Sequence, residues 1–366
     1  MPKKIRNCFD KNLTFEKLLL AHKRARQHKV YRNEVIQFEI NLENNIVNLL
    51  NSIKNGTYHV GKYSSFLVFE PKERLIKKLP YIDRIVHQWY IEEFIKPFFY
   101  PRLIKTTFAC IDNRGTHKAV IQVQKYMQTF KRNYGDFWIL KCDIHKFFYS
   151  IDPNILFRIM QKYIADKKLL AFTHKIIFER RTIEEKVGIP IGNFTSQFFA
   201  NIYLNELDQF VKRKLKVKYY ARYMDDFIFL FKTKADCIMC KKIVESFLKE
   251  NLHLSLNDKS RYYPYKMGVD FCGYRIFCTH RLLRHSSKKK IKNNVRKWNT
   301  LFSKNKLDIK HTMECLNAWK GHSSHCNSYT LQNQIINKCN FIFDTSCSLQ
   351  HIEQDLIDNI NIWGQV

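Results

Sequence analysis

The stretch Ala221-Arg222-Tyr223-Met224-Asp225-Asp226-Phe227-Ile228-Phe229-Leu230-Phe231 decides the fold. Residues 217–223 and 226–232 read as two strands, with Asp225-Asp226 at the tip between them. A turn chosen only for its geometry would use Asn-Gly or Asp-Gly, because adjacent carboxylates repel. A bound divalent cation removes that conflict. A third carboxylate, Asp143, ends the apolar strand at 137–142. Two such strands side by side bring Asp143 and Asp225 together as bridging ligands for two Mg2+ ions. Such a pair stabilises the attacking and leaving oxygens of a phosphoryl displacement.

Around this centre the pattern alternates helices and strands. Val35, Phe38, Leu42, Ile46, Leu49 and Ile53 recur at helical spacing, so 35–54 reads as one helix ended by Asn55-Gly56. Residues 63–80 read as a hairpin turning through Pro71-Lys72-Glu73-Arg74, and 83–98 and 116–131 as helices. A helix over 194–211 would carry Phe199, Ile202, Tyr203, Leu207 and Phe210 on one stripe. Another helix spans 234–251, and strands follow around 269–278.

The 366 residues carry 63 Lys and Arg against 33 Asp and Glu, a formal charge of +30. Hydrophobic residues make up 45%, which excludes a disordered basic tail and leaves a folded chain whose partner is a polyanion. Eleven of those basic residues and one Asp fall in 281–310, which reads as a phosphate-tracking surface; a merely solvated helix face is the alternative. Residues 341–366 hold four acids and no Lys or Arg. No run is long and apolar enough for a membrane span. Eleven scattered cysteines read as free thiols of a reducing cytoplasm, with only Cys237 and Cys240 at metal or redox spacing. His322, His325 and Cys326 admit a metal reading but favour a structural or RNA-contacting one.

Other motifs stand in order along the chain. They are Pro71-Lys72-Glu73-Arg74-Leu75-Ile76, Asp83-Arg84-Ile85-Val86-His87, Arg114-Gly115-Thr116-His117-Lys118-Ala119 and Lys141-Cys142-Asp143-Ile144-His145-Lys146-Phe147-Phe148. Gly188-Ile189-Pro190-Ile191-Gly192-Asn193-Phe194-Thr195-Ser196-Gln197 precedes the Tyr223-Met224-Asp225-Asp226 stretch. Leu254-Ser255-Leu256-Asn257-Asp258-Lys259-Ser260, Phe271-Cys272-Gly273-Tyr274 and Trp319-Lys320-Gly321-His322 follow it. Taken together over roughly 63–331, the set resembles reverse transcriptases, most closely those of diversity-generating retroelements.

The resemblance implies an α+β right-hand polymerase with an antiparallel-sheet palm, mixed fingers and a helical thumb. An N-terminal helical extension would occupy 1–62, fingers 63–137, palm 138–280 with a fingers insertion at about 160–187, and a basic helical thumb and tail 281–366. Asp143, Asp225 and Asp226 match the metal-binding carboxylates, and Ile144 would add only its backbone carbonyl to two Mg2+ ions, for which Mn2+ can substitute. Lys72 and Arg74 match residues that grip the triphosphate, and Phe148 the aromatic under the incoming sugar that excludes a 2′-hydroxyl. Ile191 and Gln197 flank the nucleotide, and Lys259 matches a lysine that protonates the leaving pyrophosphate. Phe271, Gly273 and Tyr274 match the primer grip, and Lys288, Lys289 and Lys290 would follow the nucleic-acid backbone. Many relatives have Gln where Ile191 stands and Ser-Pro where Ser196-Gln197 stands, and the pattern here is that of the diversity-generating group.

The implied activity is RNA-directed DNA synthesis, copying a template-repeat RNA into cDNA mutated at adenines. The implied partners are that RNA and its cDNA duplex, deoxynucleotides and a pentameric accessory variability protein, in a bacterial cytoplasm. The alternatives are another bacterial reverse transcriptase, of a retron, an intron or phage defence, and a catalytically silent RNA-binding scaffold.

Overall fold

The computed structural model describes residues 4–69, 73–180 and 186–343. The chain divides into two compact units: Met1–Gln122 with Tyr134–Pro264, and Val123–Asn133 with Tyr265–Val366. Each mixes helices with antiparallel sheet, an α+β architecture.

In the first unit β1 (Ser64–Val68) and β2 (Arg74–Lys78) pair as a separate two-stranded ribbon, with every residue of β1 exposed. Strands β3 (Trp138–Asp143), β4 (Tyr220–Tyr223), β5 (Asp226–Phe231) and β6 (Arg261–Pro264) form a second sheet in the order β4-β5-β3-β6. The central strands hold the apolar runs, and Ile139, Leu140, Cys142, Phe227 and Phe229 are all buried. Branched and aromatic side chains suit such a covered, pleated surface. Hydrophobic patterning does not reveal β6, whose Arg261-Tyr262-Tyr263 run ends in Pro264; a proline is tolerated there because the strand lies at the sheet edge.

The helix Phe194–Gln209 packs behind the sheet, and twelve of its residues are buried, on all sides rather than along the expected single stripe. Helices Tyr81–Tyr90, Pro153–Tyr163 and Lys234–Leu252 surround it, and a helix enclosed in this way has no solvent face to keep polar. The expected helix 35–54 is two, Asn33–Ile40 and Leu42–Lys54. Asn41 leaves helical geometry between them, at φ −129° and ψ 50°, and its side chain accepts from Asn44 Nδ2. The helix expected at 83–98 begins at Tyr81 and widens into a π turn at Ile91–Ile95.

The second unit holds β7 (Val269–Phe271), β8 (Tyr274–Ile276) and β9 (Arg281–Leu283) in sequential order. Its helices His285–Phe302, Ile309–Ser323 and Tyr329–Ile336 close a small core of Ile291, Val295, Leu316, Ile335, Cys339 and Phe341. The basic helix buries only Ile291 and Val295, so its cationic residues occupy the remaining faces, Lys289 and Lys290 exposed and Lys288 half-buried. The acidic stretch falls almost wholly outside the described residues. Among those residues no helix is long and apolar enough to cross a membrane.

Candidate active site

Strand register places the carboxylates. Asp143, last in β3, lies directly opposite Asp226, first in β5, so their side chains share one face of the sheet. Asp225 is the second residue of the two-residue turn joining β4 to β5, and Met224 before it has φ +55°. Hairpin turns that need a positive φ at their first residue usually place glycine there. A methionine in that position costs of order 1–3 kcal/mol, which the surroundings must supply.

The three acids are half-buried, and that sets their electrostatics. Burial, then repulsion from Asp143, pushes Asp225 up to about 6, while the charges of Arg74 and Arg222 work the other way. Burial also pushes Asp226 up to about 6, against the Lys141 ammonium, which sits 3.0 Å from Asp226 Oδ2. Asp226 Oδ1 is buried without a hydrogen-bond partner. Crowded, under-satisfied carboxylate oxygens are the donor set a hard divalent cation takes. Among the described residues no three acidic, His or Cys side chains converge on one point. Mg2+ typically uses one or two carboxylates together with substrate phosphates, so a pair of carboxylates is a sufficient protein contribution.

The main chain around Asp143 is fixed from the loop before β6. Asn257 N donates to the Asp143 carbonyl at 2.7 Å, and Ser260 Oγ accepts from Asp143 N at 3.1 Å. Ile144 bridges to Leu256 with its side chain buried, so it can offer only backbone. Lys259 is exposed on this same loop, its backbone N donating to Asn257 Oδ1. Phe148 packs half-buried beside Phe147 in the short helix Phe147–Ser150, and its carbonyl accepts from Ile189 N at 2.8 Å. The loop carrying Ile191 is therefore tied to Phe148 on one side. On the other, the Ile191 carbonyl accepts from Lys77 N of β2 at 2.9 Å. Gly192 makes that approach possible: at φ +114°, a Cβ there would lie 2.9 Å from the Lys77 carbonyl.

Ile191 and Gln197 face different cavities. Ile191 lines one of about 260 Å³ with Tyr63, Leu75, Lys77 and Tyr149. Gln197 lines one of about 370 Å³ whose wall is basic, with Arg24, Lys29, Arg32, Lys78 and Arg84. Arg74 opens β2, where it is exposed and acts on Asp225 through its charge; Lys72 lies outside the described residues. Sequence reasoning missed Lys141, although a lysine inside an otherwise apolar strand is a legible signal of a partner.

In the second unit Phe271 and Tyr274 are wholly buried, so of the expected primer-grip residues only Gly273, in the turn between β7 and β8, can present itself. The Tyr274 hydroxyl donates to the His322 carbonyl at 2.8 Å, and its ring packs at a 38° tilt against the imidazole with centroids 4.7 Å apart, giving His322 a structural engagement. Cys237 and Cys240 are buried on the helix Lys234–Leu252, and burial pushes both thiols up to about 12. Neither is a ready metal ligand in that state.

The family model described as reverse transcriptase (RNA-dependent DNA polymerase) matches residues 68–276, which include Asp143, Asp225 and Asp226. The putative COX1/OXI3 intron 2 protein of Saccharomyces cerevisiae is 26% identical over 225 residues, covering 44% of this chain and 25% of its own. The group II intron-encoded protein LtrA of Lactococcus lactis subsp. cremoris is 25% identical over 186 residues, 48% of this chain and 30% of its own. This chain thus spans less than a third of the length of these two relatives. Telomerase from Candida albicans, solved in complex with a fragment of telomeric RNA, is similar at a TM-score of 0.46. Its identity is 12% over 65% of this chain and 49% of that one.

Proposed function

We propose that this chain, which belongs to the reverse transcriptase (RNA-dependent DNA polymerase) family, extends DNA along an RNA template as the polymerase of a diversity-generating retroelement. The observation that carries polymerisation is the register that sets Asp143 opposite Asp226, with Asp225 at the adjoining turn. Asp143 and Asp225 would hold two Mg2+ ions, which when bound lower the charge on the attacking and leaving oxygens. Lys141 keeps Asp226 paired and oriented. Arg74 and Lys72 grip the triphosphate, and Phe148 excludes the 2′-hydroxyl. Lys259 supplies the proton to the leaving pyrophosphate. Lys288, Lys289 and Lys290 follow the nucleic-acid backbone, while Gly273 and its neighbours steady the primer. Fingers span 63–137, the palm 138–280 with a fingers insertion at about 160–187, and the thumb and tail 281–366.

The finer role rests on Ile191 beside the nucleotide and on Ser196-Gln197. The isoleucine side chain neither donates nor accepts a hydrogen bond, and one oriented polar contact contributes on the order of 0.5–1.5 kcal/mol, several-fold to about tenfold in selectivity. A loose site of this kind suits error-prone copying of a template-repeat RNA at adenines, with a pentameric accessory protein as partner in a bacterial cytoplasm. The group II intron relatives favour a second reading, an intron-type polymerase without programmed mutagenesis. Sequencing cDNA made from one RNA template by the parent and by Ile191→Gln separates the two. The retroelement reading expects errors concentrated opposite adenine that Ile191→Gln reduces; an unchanged adenine error rate in an active variant contradicts it.

A further inference from the structure

Arg222 stands in the middle of β4, and both it and Asp208, near the end of the helix Phe194–Gln209, are wholly buried. Its guanidinium meets the carboxylate side-on: Nε donates to Asp208 Oδ1 at 2.8 Å and Nη2 to Oδ2 at 2.6 Å. The carboxylate is saturated further by the Tyr220 hydroxyl at 2.7 Å and the Thr107 hydroxyl at 2.8 Å. The Arg222 backbone is clamped as well, its N donating to the Thr106 carbonyl and its carbonyl accepting from Phe108 N.

Such a pair is a poor device for stability alone, because well-packed apolar residues of the same volume often do as well or better. What an apolar pair cannot do is use the remaining nitrogen. Nη1 donates to Asn201 Oδ1 at 3.2 Å and to the Met224 carbonyl at 3.0 Å. Met224 is the turn residue at φ +55°, and its carbonyl belongs to the peptide leading into Asp225. A planar fork holds a carboxylate through two nitrogens and a turn carbonyl through the third in one fixed geometry; an ammonium, a single nitrogen on a flexible stem, does not fix that geometry.

We propose that Arg222, oriented by Asp208, is a positioning residue: it holds the Met224 carbonyl so that the Asp225 carboxylate is presented in one orientation for a divalent cation. This rests on the polymerase reading above only for its effect on rate. The orientation of Asp225 can be read independently, by titrating the protein with Mn2+ and following the free ion by electron paramagnetic resonance.

The variants are Arg222→Lys and the double replacement Arg222→Met with Asp208→Leu, which removes both charges and keeps the volume. Val244→Ala, a cavity in the buried face of the helix Lys234–Leu252, controls for lost stability. Both Arg222 variants are expected to bind Mn2+ at least about tenfold more weakly, with primer extension slowed by a similar factor and the KM for deoxynucleotide within about twofold. The control should lower the melting temperature and leave Mn2+ affinity unchanged. A folded Arg222 variant with parental Mn2+ affinity overturns the proposal, and so does a control that weakens Mn2+ equally. Should neither Arg222 variant fold, Asp208→Asn is judged by the same two criteria. If the parent fails to extend primers but the variants still lose Mn2+, the polymerase reading falls and the positioning role stands.

Discussion

The hairpins β4–β5 and β7–β8 have turns of the same length and solve them differently. At Cys272-Gly273 both residues have positive φ, +50° and +88°, the sign pattern that matches strand twist, and a glycine shares the load. At Met224-Asp225 only the first is positive, no glycine is present, and Arg222 holds the turn through the Met224 carbonyl. The β7–β8 hairpin is stabilised by its own residues, the β4–β5 hairpin from behind by a buried network. This chain accepts local backbone cost at the turn that carries a carboxylate. The same contrast runs through the two units. The buried His, Asp and Arg side chains among the described residues, such as His87, Asp83 and Arg222, all lie in the first, while the second buries Thr312, Ser323 and Ser328.

The largest effect that can break this contrast is acid sensitivity of the first unit. His87 is fully buried, its Nδ1 against Thr195 Oγ1 and its Nε2 without a partner, and burial pushes it down to about 4. The depressed value means that stability is fully present above the ordinary value of 6.5 and is lost as pH falls from there toward 4. The loss is about 3 kcal/mol. Urea unfolding at pH 7 and pH 4 should show the parent losing that much more than His87→Gln. Equal losses would remove the buried imidazole from the list of differences.

A smaller effect concerns selectivity. Phe148→Ala should raise ribonucleotide over deoxynucleotide incorporation by about tenfold, a change of about 1.4 kcal/mol, read in competition assays. Unchanged discrimination with polymerisation retained would make Phe148 a packing residue beside Phe147.

The smallest effect bears on the turns themselves. Gly273→Ala forces a Cβ onto a φ of +88°, with His322 ring atoms 3.4 Å away, and should cost about 1 kcal/mol or more. Met224→Gly relieves backbone strain while adding chain entropy to the unfolded state, so its net change should stay below about 1 kcal/mol. Thermal unfolding of both variants decides it, and a Met224→Gly loss as large as that of Gly273→Ala would contradict external support of the β4–β5 turn.

Much of the carboxylate region is legible in the sequence because it is local. Continuous apolar runs mark β3 and β5, and the pair of acids at the start of β5 marks its turn from β4. The supporting shell is not legible, because its meaning is tertiary. Asp208 reads as an ordinary acid near a helix end until Tyr220, Arg222 and Thr107 close on it. Asn41 sits inside an unbroken apolar period, and only the packing of two helices shows the break. Phe271 and Tyr274 match a motif, yet the motif says nothing of which way the rings face.

The role of Asp225 in catalysis is read by extension of a primed RNA template with deoxynucleotides and Mg2+ by the parent and by Asp225→Asn, with circular dichroism on both. An amide is a far weaker partner than a carboxylate for a hard cation, so extension should fall by about a hundredfold or more while the spectrum stays unchanged. Extension by a folded Asp225→Asn protein within about a factor of three of the parent, about 0.65 kcal/mol in barrier, would contradict the assignment of the β4–β5 turn as the catalytic centre.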